Sequence, residues 1–317
     1  MKTYQHLFGP VPSRRFGRSL GVDLTPRKTC SFDCIFCQLG RTTNKTLTRK
    51  EYIPVDGVLT ELKDWLKNDG SADVITLAGS GEPTLNSRFG DIIDTVHEHS
   101  SIPVALLTNG TTLGDPQVRS AAAKADIVKT SLSAWNQASL ERMNRPCADV
   151  KIKDLVESQW LFRNTFRGQM WIEVFLVCGI NSLPNEVADI ADLVNTIGAD
   201  KVHLNTAVRP PAESFAHPLP RDVMEELAEL FTPRAEVTAE FSSDTSPEVE
   251  ATEADVLATL CRRPCTVEQM SQVFALHPNE VAKYTGKLLR TGKIRAEQRG
   301  DDTFYTAVHA ESSKKGR

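Results

Sequence analysis

The chain has 317 residues, of which 40% are hydrophobic and 25% charged, the make-up of a globular protein with one larger and one smaller domain. No stretch approaches the roughly 18 apolar residues of a membrane span, and the polar start from Met1 to His6 lacks the apolar core of a secretory signal, so a cytoplasmic protein with no membrane partner is expected. Seven cysteines without an export signal point to reduced thiols or metal ligands rather than a disulfide framework, and a net charge of −4 argues against bulk polyanion binding while allowing a local basic face.

Short apolar or β-branched runs recur along the chain, each followed by a longer amphipathic stretch, the pattern of parallel βα units. The candidate strands are Leu20 to Leu24, Val74 to Ala78, Pro103 to Thr108, Ile127 to Ser131, Trp171 to Val177 and Lys201 to Asn205. The periodicity predicts helices over Val55 to Asn68 and Pro184 to Ile197. Six such units fit either a partly closed barrel or a doubly wound sheet, and in both the ligands sit at the C-terminal ends of the strands.

Directly after the first strand comes Cys30-Ser-Phe-Asp-Cys34-Ile-Phe-Cys37, a C-x3-C-x2-C spacing. Three thiolates on one tight loop can grip three irons of a [4Fe-4S] cluster and leave the fourth iron open to an amine and a carboxylate, which the methionyl end of S-adenosylmethionine provides. A zinc site wants four ligands, usually as two C-x2-C knuckles, and Cys261 and Cys265 do not supply the second. At these residues the sequence resembles the radical S-adenosylmethionine superfamily, and more narrowly the branch that includes the wybutosine tRNA-modification enzymes. Gly9 to Asp23 looks like the lead into the cluster loop of that branch. The resemblance covers about residues 8 to 240 and implies an α/β fold, a partial (β/α)6 barrel, with Cys30, Cys34 and Cys37 as metal ligands and Phe36 beside the cofactor.

The resemblance extends to Ala78-Gly79-Ser80-Gly81-Glu82-Pro83 after the second strand, similar to the superfamily's Gly-Gly-Glu-Pro turn with Ser80 in place of the first glycine. Gly79 and Gly81 let backbone approach a ligand, and a strand-end carbonyl or Glu82 can accept from the cofactor's ammonium. Asn109 and Ser131, at the ends of the third and fourth strands, are candidates for its carboxylate or ribose, with helix capping as the alternative. In the fifth strand Glu173, Phe175 and Val177 alternate with Ile172, Val174, Leu176 and Cys178, and the pattern leaves open which face meets the ligand. The sixth strand puts His203 and Asn205 on one face and leads to Arg209; polar residues inside a small barrel point to substrate, and Arg209 suits a carboxylate or phosphate. Lys129 is a further candidate.

The polar run over 241–252 reads as a linker between a core domain at 1–240 and a second domain at 253–309, followed by a polar tail at 310–317. Thr266-Val-Glu-Gln269 is a capping-box pattern, Pro278 suits the first turn of a third helix, and Ile294 to Gln298 with Thr303 to Ala307 form a hairpin across residues 299–302. The pattern is that of a winged helix. Its third helix sends Val281, Tyr284 and Leu288 to the core and Lys283, Lys287 and Arg290 to the opposite face.

Three functions follow. The first is a radical enzyme acting on RNA, docked by the second domain; the chain has no cysteine before Cys30, where wybutosine relatives carry more, so another modification stays open. The second keeps the radical core with a peptide, protein or small-metabolite substrate. The third is an iron-sulfur-sensing winged-helix regulator. Both enzymatic readings imply a low-potential electron donor such as ferredoxin or flavodoxin.

Overall fold

The computed structural model describes residues 4–13, 15–238, 252–274 and 276–308. The chain divides into two compact units, Met1–Glu240 and Phe241–Arg317. Most of the expected linker, residues 241–251, and the tail at 310–317 lie outside the described residues.

The first unit opens with an antiparallel hairpin, β1 (Leu7–Ser13) and β2 (Gly17–Val22), followed by the short parallel pair β3 (Thr29–Cys30) and β4 (Asn44–Lys45). Then come α1 (Val55–Asn68), β5 (Val74–Leu77), α2 (Phe89–His99), β6 (Val104–Leu107), α3 (Pro116–Ala122), β7 (Ile127–Ser131), α4 (Gln137–Asn144), α5 (Ile152–Thr165), β8 (Gln169–Leu176), α6 (Pro184–Ile197), β9 (Lys201–Thr206), α7 (Arg221–Ala228) and β10 (Glu236–Val237). All six expected parallel strands form. The main sheet runs β1-β2-β5-β6-β7-β8-β9-β10, parallel from β2 onward.

That order chooses between the two architectures left open by periodicity. A doubly wound sheet reverses direction at a switch point, whereas here each successive strand after β1 is added on the same side, as in a barrel. Curvature is visible in one contact: Phe16, in the β1–β2 turn, stacks on Trp171 of β8 with ring centroids 5.0 Å apart. On a flat sheet β2 and β8 would be four spacings apart, about 19 Å at ~4.8 Å each. The sheet therefore curls, and the hairpin turn closes its floor at the N-terminal ends of the strands. Since β1 and β10 do not pair, the barrel is partial.

The outer face of the sheet packs under the helices. Val58, Leu62 and Trp65 of α1 and Val187, Ile190 and Val194 of α6 are buried against strand residues such as Ile75, Leu106, Val128, Ile172 and Leu204. Each such large side chain removed from water contributes about 1.5–3 kcal/mol. Pro184 occupies the first turn of α6, and Gly198, with φ +76°, ends it in a left-handed cap. The opposite strand residues Ser19, Thr76, Lys129, Phe175, His203 and Asn205 are buried in the interior, with Glu173 half-buried among them.

The second unit comprises α8 (Glu253–Arg262), α9 (Val267–Phe274), α10 (Pro278–Arg290) and the hairpin of β11 (Ile294–Arg299) with β12 (Asp302–Ala307). Thr266 and Gln269 make the reciprocal capping bonds, at 3.2 and 3.3 Å. Cys265 is buried and pairs its backbone with Tyr305 of β12. The inward face of α10 is Val281, Thr285 and Leu288; Tyr284 stays half-exposed. Thr285 is accommodated because its hydroxyl donates to the Val281 carbonyl, 3.1 Å away. The expected basic face of α10 is partly neutralised by acids: Lys283 pairs with Glu280 and Lys287 with Glu253, each at 2.5 Å. Among the described residues no helix is long and apolar enough to cross a membrane.

Candidate cluster and cofactor site

The loop from Cys30 to Cys37 leaves β3 and is held on two sides by backbone hydrogen bonds. On one side Asp33 N–H donates to the Asn144 carbonyl (2.9 Å), Ile35 N–H to Met143 (3.0 Å) and Cys147 N–H to Ser31 (3.0 Å). On the other the turn after β5 is stitched to the residues just ahead of Cys30: Lys28 N–H donates to the Ser80 carbonyl (2.6 Å) and Glu82 N–H to the Thr29 carbonyl (3.0 Å). The Gly79 to Glu82 turn thus fixes where the cysteine loop starts.

The two glycines of that turn are required by this close approach. A Cβ on Gly81 would stand 1.9 Å from the Thr29 carbonyl oxygen, and one on Gly79 would stand 2.4 Å from the Asp23 carboxylate carbon. Ser80 is anchored to the same Asp23, through its N–H at 3.0 Å and its hydroxyl at 2.5 Å. Gly81→Ala is expected to force the turn away from Thr29 and cost about 1–3 kcal/mol. A melting curve checks this; a wild-type midpoint would show that the seam yields freely.

Glu82 is buried, and its carboxylate accepts from Thr84 N–H (3.1 Å), Thr84 hydroxyl (2.5 Å), Thr108 hydroxyl (2.6 Å) and Asn109 N–H (2.7 Å). Burial pushes its carboxyl above the ordinary range against the pull of these bonds. In this arrangement Glu82 ties the ends of β5 and β6 together. Asn109, so positioned, donates from Nδ2 to the Ser31 hydroxyl (2.9 Å) and to Cys30 Sγ (3.5 Å).

The three cysteines are partly exposed, none is in a disulfide, and each thiol faces a nitrogen donor. Asn109 reaches Cys30, Asn144 Nδ2 lies 3.2 Å from Cys34 Sγ, and Lys28 Nζ lies 3.1 Å from Cys37 Sγ. Burial pushes the Cys30 thiol up to about 12, with Glu82 adding to the shift, and pushes Cys34 up as well, with the other two cysteines adding. Metal binding has to displace those protons. Among the described residues no three His, Cys, Asp or Glu side chains are grouped to hold a single metal ion. Each thiolate of a four-iron cluster ligates its own iron, so its ligands stand farther apart than around one ion, and N–H donors aimed at the sulfurs suit thiolates. The donor set fits a [4Fe-4S] cluster.

Phe36 stacks on Phe175 with centroids 4.1 Å apart, beside Met143, Val177 and Ala207. That contact turns the Glu173 and Phe175 face of β8 inward, with Val177 just past the strand in the same cluster. Ser131 ends β7 opposite Glu173, its carbonyl 3.5 Å from Gln159 Nε2. Ser133 is buried, accepting from Phe175 N–H at 2.8 Å.

His203 and Asn205 gather around Glu173, which accepts from Arg15 Nη2 (2.6 Å), Asn205 Nδ2 (3.0 Å) and Lys129 Nζ. Burial by itself would raise the Glu173 carboxyl, but Arg15 and Lys129 overcome it and hold the group well below the usual range. His203 packs edge-on against Trp171 and is pushed down to about 4 by burial and by Arg15 and Lys129. Arg209 is buried elsewhere, with Nη1 3.4 Å from Gln38 Oε1, next to the cluster loop. Sequence reasoning missed Lys28, Asn144 and Arg15, for which neither type nor spacing gave a signal.

A profile of the Radical SAM superfamily matches residues 24–194. A UPF0026 protein of Helicobacter pylori (strain J99) is 33% identical over 307 residues, 95% of this chain and 97% of that one. A Brachyspira hyodysenteriae protein named GTPase Obg is 36% identical over 297 residues; the match takes 92% of this chain but spans only 44% of that protein. Among solved structures, a radical SAM methyltransferase from Sphaerobacter thermophilus superposes with a TM-score of 0.52 at 19% identity, over 69% of this chain and 65% of the other. His6-tagged anSMEcpe with bound AdoMet gives 0.50 at 13% identity, over 67% and 58%. The chain belongs to the radical SAM superfamily, whose enzymes use a [4Fe-4S] cluster and S-adenosylmethionine, and within it to the UPF0026 proteins.

Proposed function

We propose that this protein is a radical S-adenosylmethionine enzyme in which Cys30, Cys34 and Cys37 hold the cluster and the ends of β5, β6 and β7 hold the adenosyl cofactor. The observation that carries the reading is a cysteine loop stitched to the Gly79 to Glu82 turn, with a nitrogen donor on each thiol. When bound, the cluster and cofactor supply a 5′-deoxyadenosyl radical by one-electron cleavage of the sulfonium, with methionine released, and that radical takes a hydrogen atom from substrate. The chain's own part is placement and exclusion of water. Asn109 and Ser131 orient the cofactor, Phe36 and Phe175 form its apolar wall, and the hairpin turn at Arg15 and Phe16 closes the floor. His203, Asn205 and Arg209 are the proposed substrate contacts.

For the substrate we propose RNA, on the resemblance to the wybutosine branch, with residues 253–309 as a winged helix that docks it and ferredoxin or flavodoxin as electron donor in the cytoplasm. One observation favours a peptide, protein or small metabolite instead: Lys283 and Lys287 are already paired with acids, which weakens α10 as a phosphate-binding face. The GTPase activity named for the Brachyspira protein is not proposed, because this chain has no G-x-x-x-x-G-K-[ST] loop.

Purified, reconstituted and reduced under anaerobic conditions, the protein is expected to release 5′-deoxyadenosine from S-adenosylmethionine slowly, and faster with its substrate present. Chromatographic quantitation of 5′-deoxyadenosine, with and without total RNA from a deletion strain, checks both parts. A cluster-replete sample that yields none with several reductants would favour the regulator reading; stimulation by a metabolite extract but not by RNA would move the substrate to the second class.

A further inference from the structure

We propose that Lys28 is an electrostatic clamp on the cluster thiolates: its ammonium, held 3.1 Å from Cys37 Sγ, raises the reduction potential of the cluster. The inference rests on the reading of Cys30, Cys34 and Cys37 as cluster ligands.

Two features of Lys28 point to a role for its side chain. The residue is only 5% exposed, an unusual place for a lysine, and its ammonium is turned toward a thiol. Its backbone adopts φ +59°, the left-handed region that favours glycine or asparagine. The conformation is locked from both sides, by the Lys28 N–H to Ser80 and by the Thr43 and Asn44 N–H groups that converge on the Lys28 carbonyl at 3.2 and 3.1 Å. A residue that is costly here in both conformation and desolvation is the one whose tip reaches the sulfur. The Lys28 side chain reaches Cys37, nine residues on.

The sign of the effect follows from charge. Three thiolates around a 2+ core give the oxidised cluster a net charge of −1, and reduction takes it to −2. A buried positive charge stabilises the second state more than the first, so it raises the potential. The donors on the other two sulfurs, Asn109 and Asn144, are neutral amides, so Lys28 adds formal charge where they add dipoles. A cluster poised in this way accepts an electron from a donor that would otherwise be too weak a reductant.

The test is a redox titration of the reconstituted full-length protein, following the reduced cluster by electron paramagnetic resonance in wild type and Lys28→Met. At the potential where the wild-type cluster is half reduced, the variant should show a reduced-to-oxidised ratio about tenfold lower, a shift of about 59 mV for one electron. Lys28→Gln, which keeps a donor of similar length without the charge, should shift in the same direction, and it replaces the methionine variant if that one fails to hold iron. A cluster-loaded variant with the wild-type midpoint overturns the clamp. So does a Gln variant at the wild-type midpoint beside a shifted Met variant, since the hydrogen bond and not the charge would then set the potential. If wild type itself binds no four-iron cluster, the cysteine reading falls and the clamp falls with it, an outcome distinct from a loaded variant that does not shift.

Discussion

Replacing Cys34 with alanine is expected to take iron from about four per chain to none and to abolish 5′-deoxyadenosine release altogether. Cys34 is the middle cysteine of the proposed ligand set, and its thiol lies within the field of both Cys30 and Cys37. With one thiolate gone, two remain for a cluster that already has one open iron. The fold should survive. The backbone bonds that hold the loop, Asp33 and Ile35 to Asn144 and Met143 and Glu82 to Thr29, do not involve the Cys34 side chain. Iron and sulfide assays together with the visible charge-transfer band report the loss, and circular dichroism reports the fold. Retention of about four irons in the Cys34→Ala protein would remove Cys34 from the ligand set.

The contrast between this loop and its surroundings shows what a sequence carries. The C-x3-C-x2-C spacing is local, so the proposed ligands could be named from the sequence. The strands were legible because parallel strands covered on their outer face read as short apolar runs, and α1 and α6 because buried residues repeat at helical spacing in Val58, Leu62 and Trp65 and in Val187, Ile190 and Val194. The strand β1 was not: Gly9, Pro10 and Pro12 spell a turn, and a proline-bearing strand is tolerated there only because β1 is the sheet edge. Two of the three donors that reach the sulfurs arrive from across the chain, Asn109 from 79 residues beyond Cys30 and Asn144 from 110 beyond Cys34, and no local pattern announces them. The same holds for the inward face of β8. Alternation separated Glu173 and Phe175 from Ile172 and Val174, but the partners that show which set faces in, Arg15, Lys129 and Asn205, lie 158, 44 and 32 residues away from Glu173. On α10 the error was smaller: spacings of three and four both keep one helical face, and Thr285 rather than Tyr284 took the inner place once its hydroxyl found a backbone acceptor.

Glu173→Gln is expected to destabilise the first unit by about 3–5 kcal/mol, because it leaves two cations, Lys129 buried and Arg15 largely so, without their carboxylate. Glutamine matches glutamate in size, so little of the loss comes from packing. For a unit of this length the melting midpoint should fall by about 6–20 °C. The pH dependence separates charge from shape. The native Glu173 carboxyl is held well below its unfolded value of about 4.3, so its contribution is fully present above that value and is lost only as pH falls through the depressed native value. The stability gap between wild type and Glu173→Gln should therefore stay constant from pH 8 down to about 4.3 and close below it. Above about 4, His203 adds a slope to both proteins. With its native value pushed down to about 4 by burial and the neighbouring cations, it is neutral when folded and protonated when unfolded between there and its ordinary value of about 6.5. Stability drains from both proteins as pH falls through that window. Denaturant titrations at stepped pH values measure the gap directly. A glutamine variant as stable as wild type, or a gap that already closes near neutral pH, would show that the carboxylate does not hold Arg15 and the hairpin turn against β8.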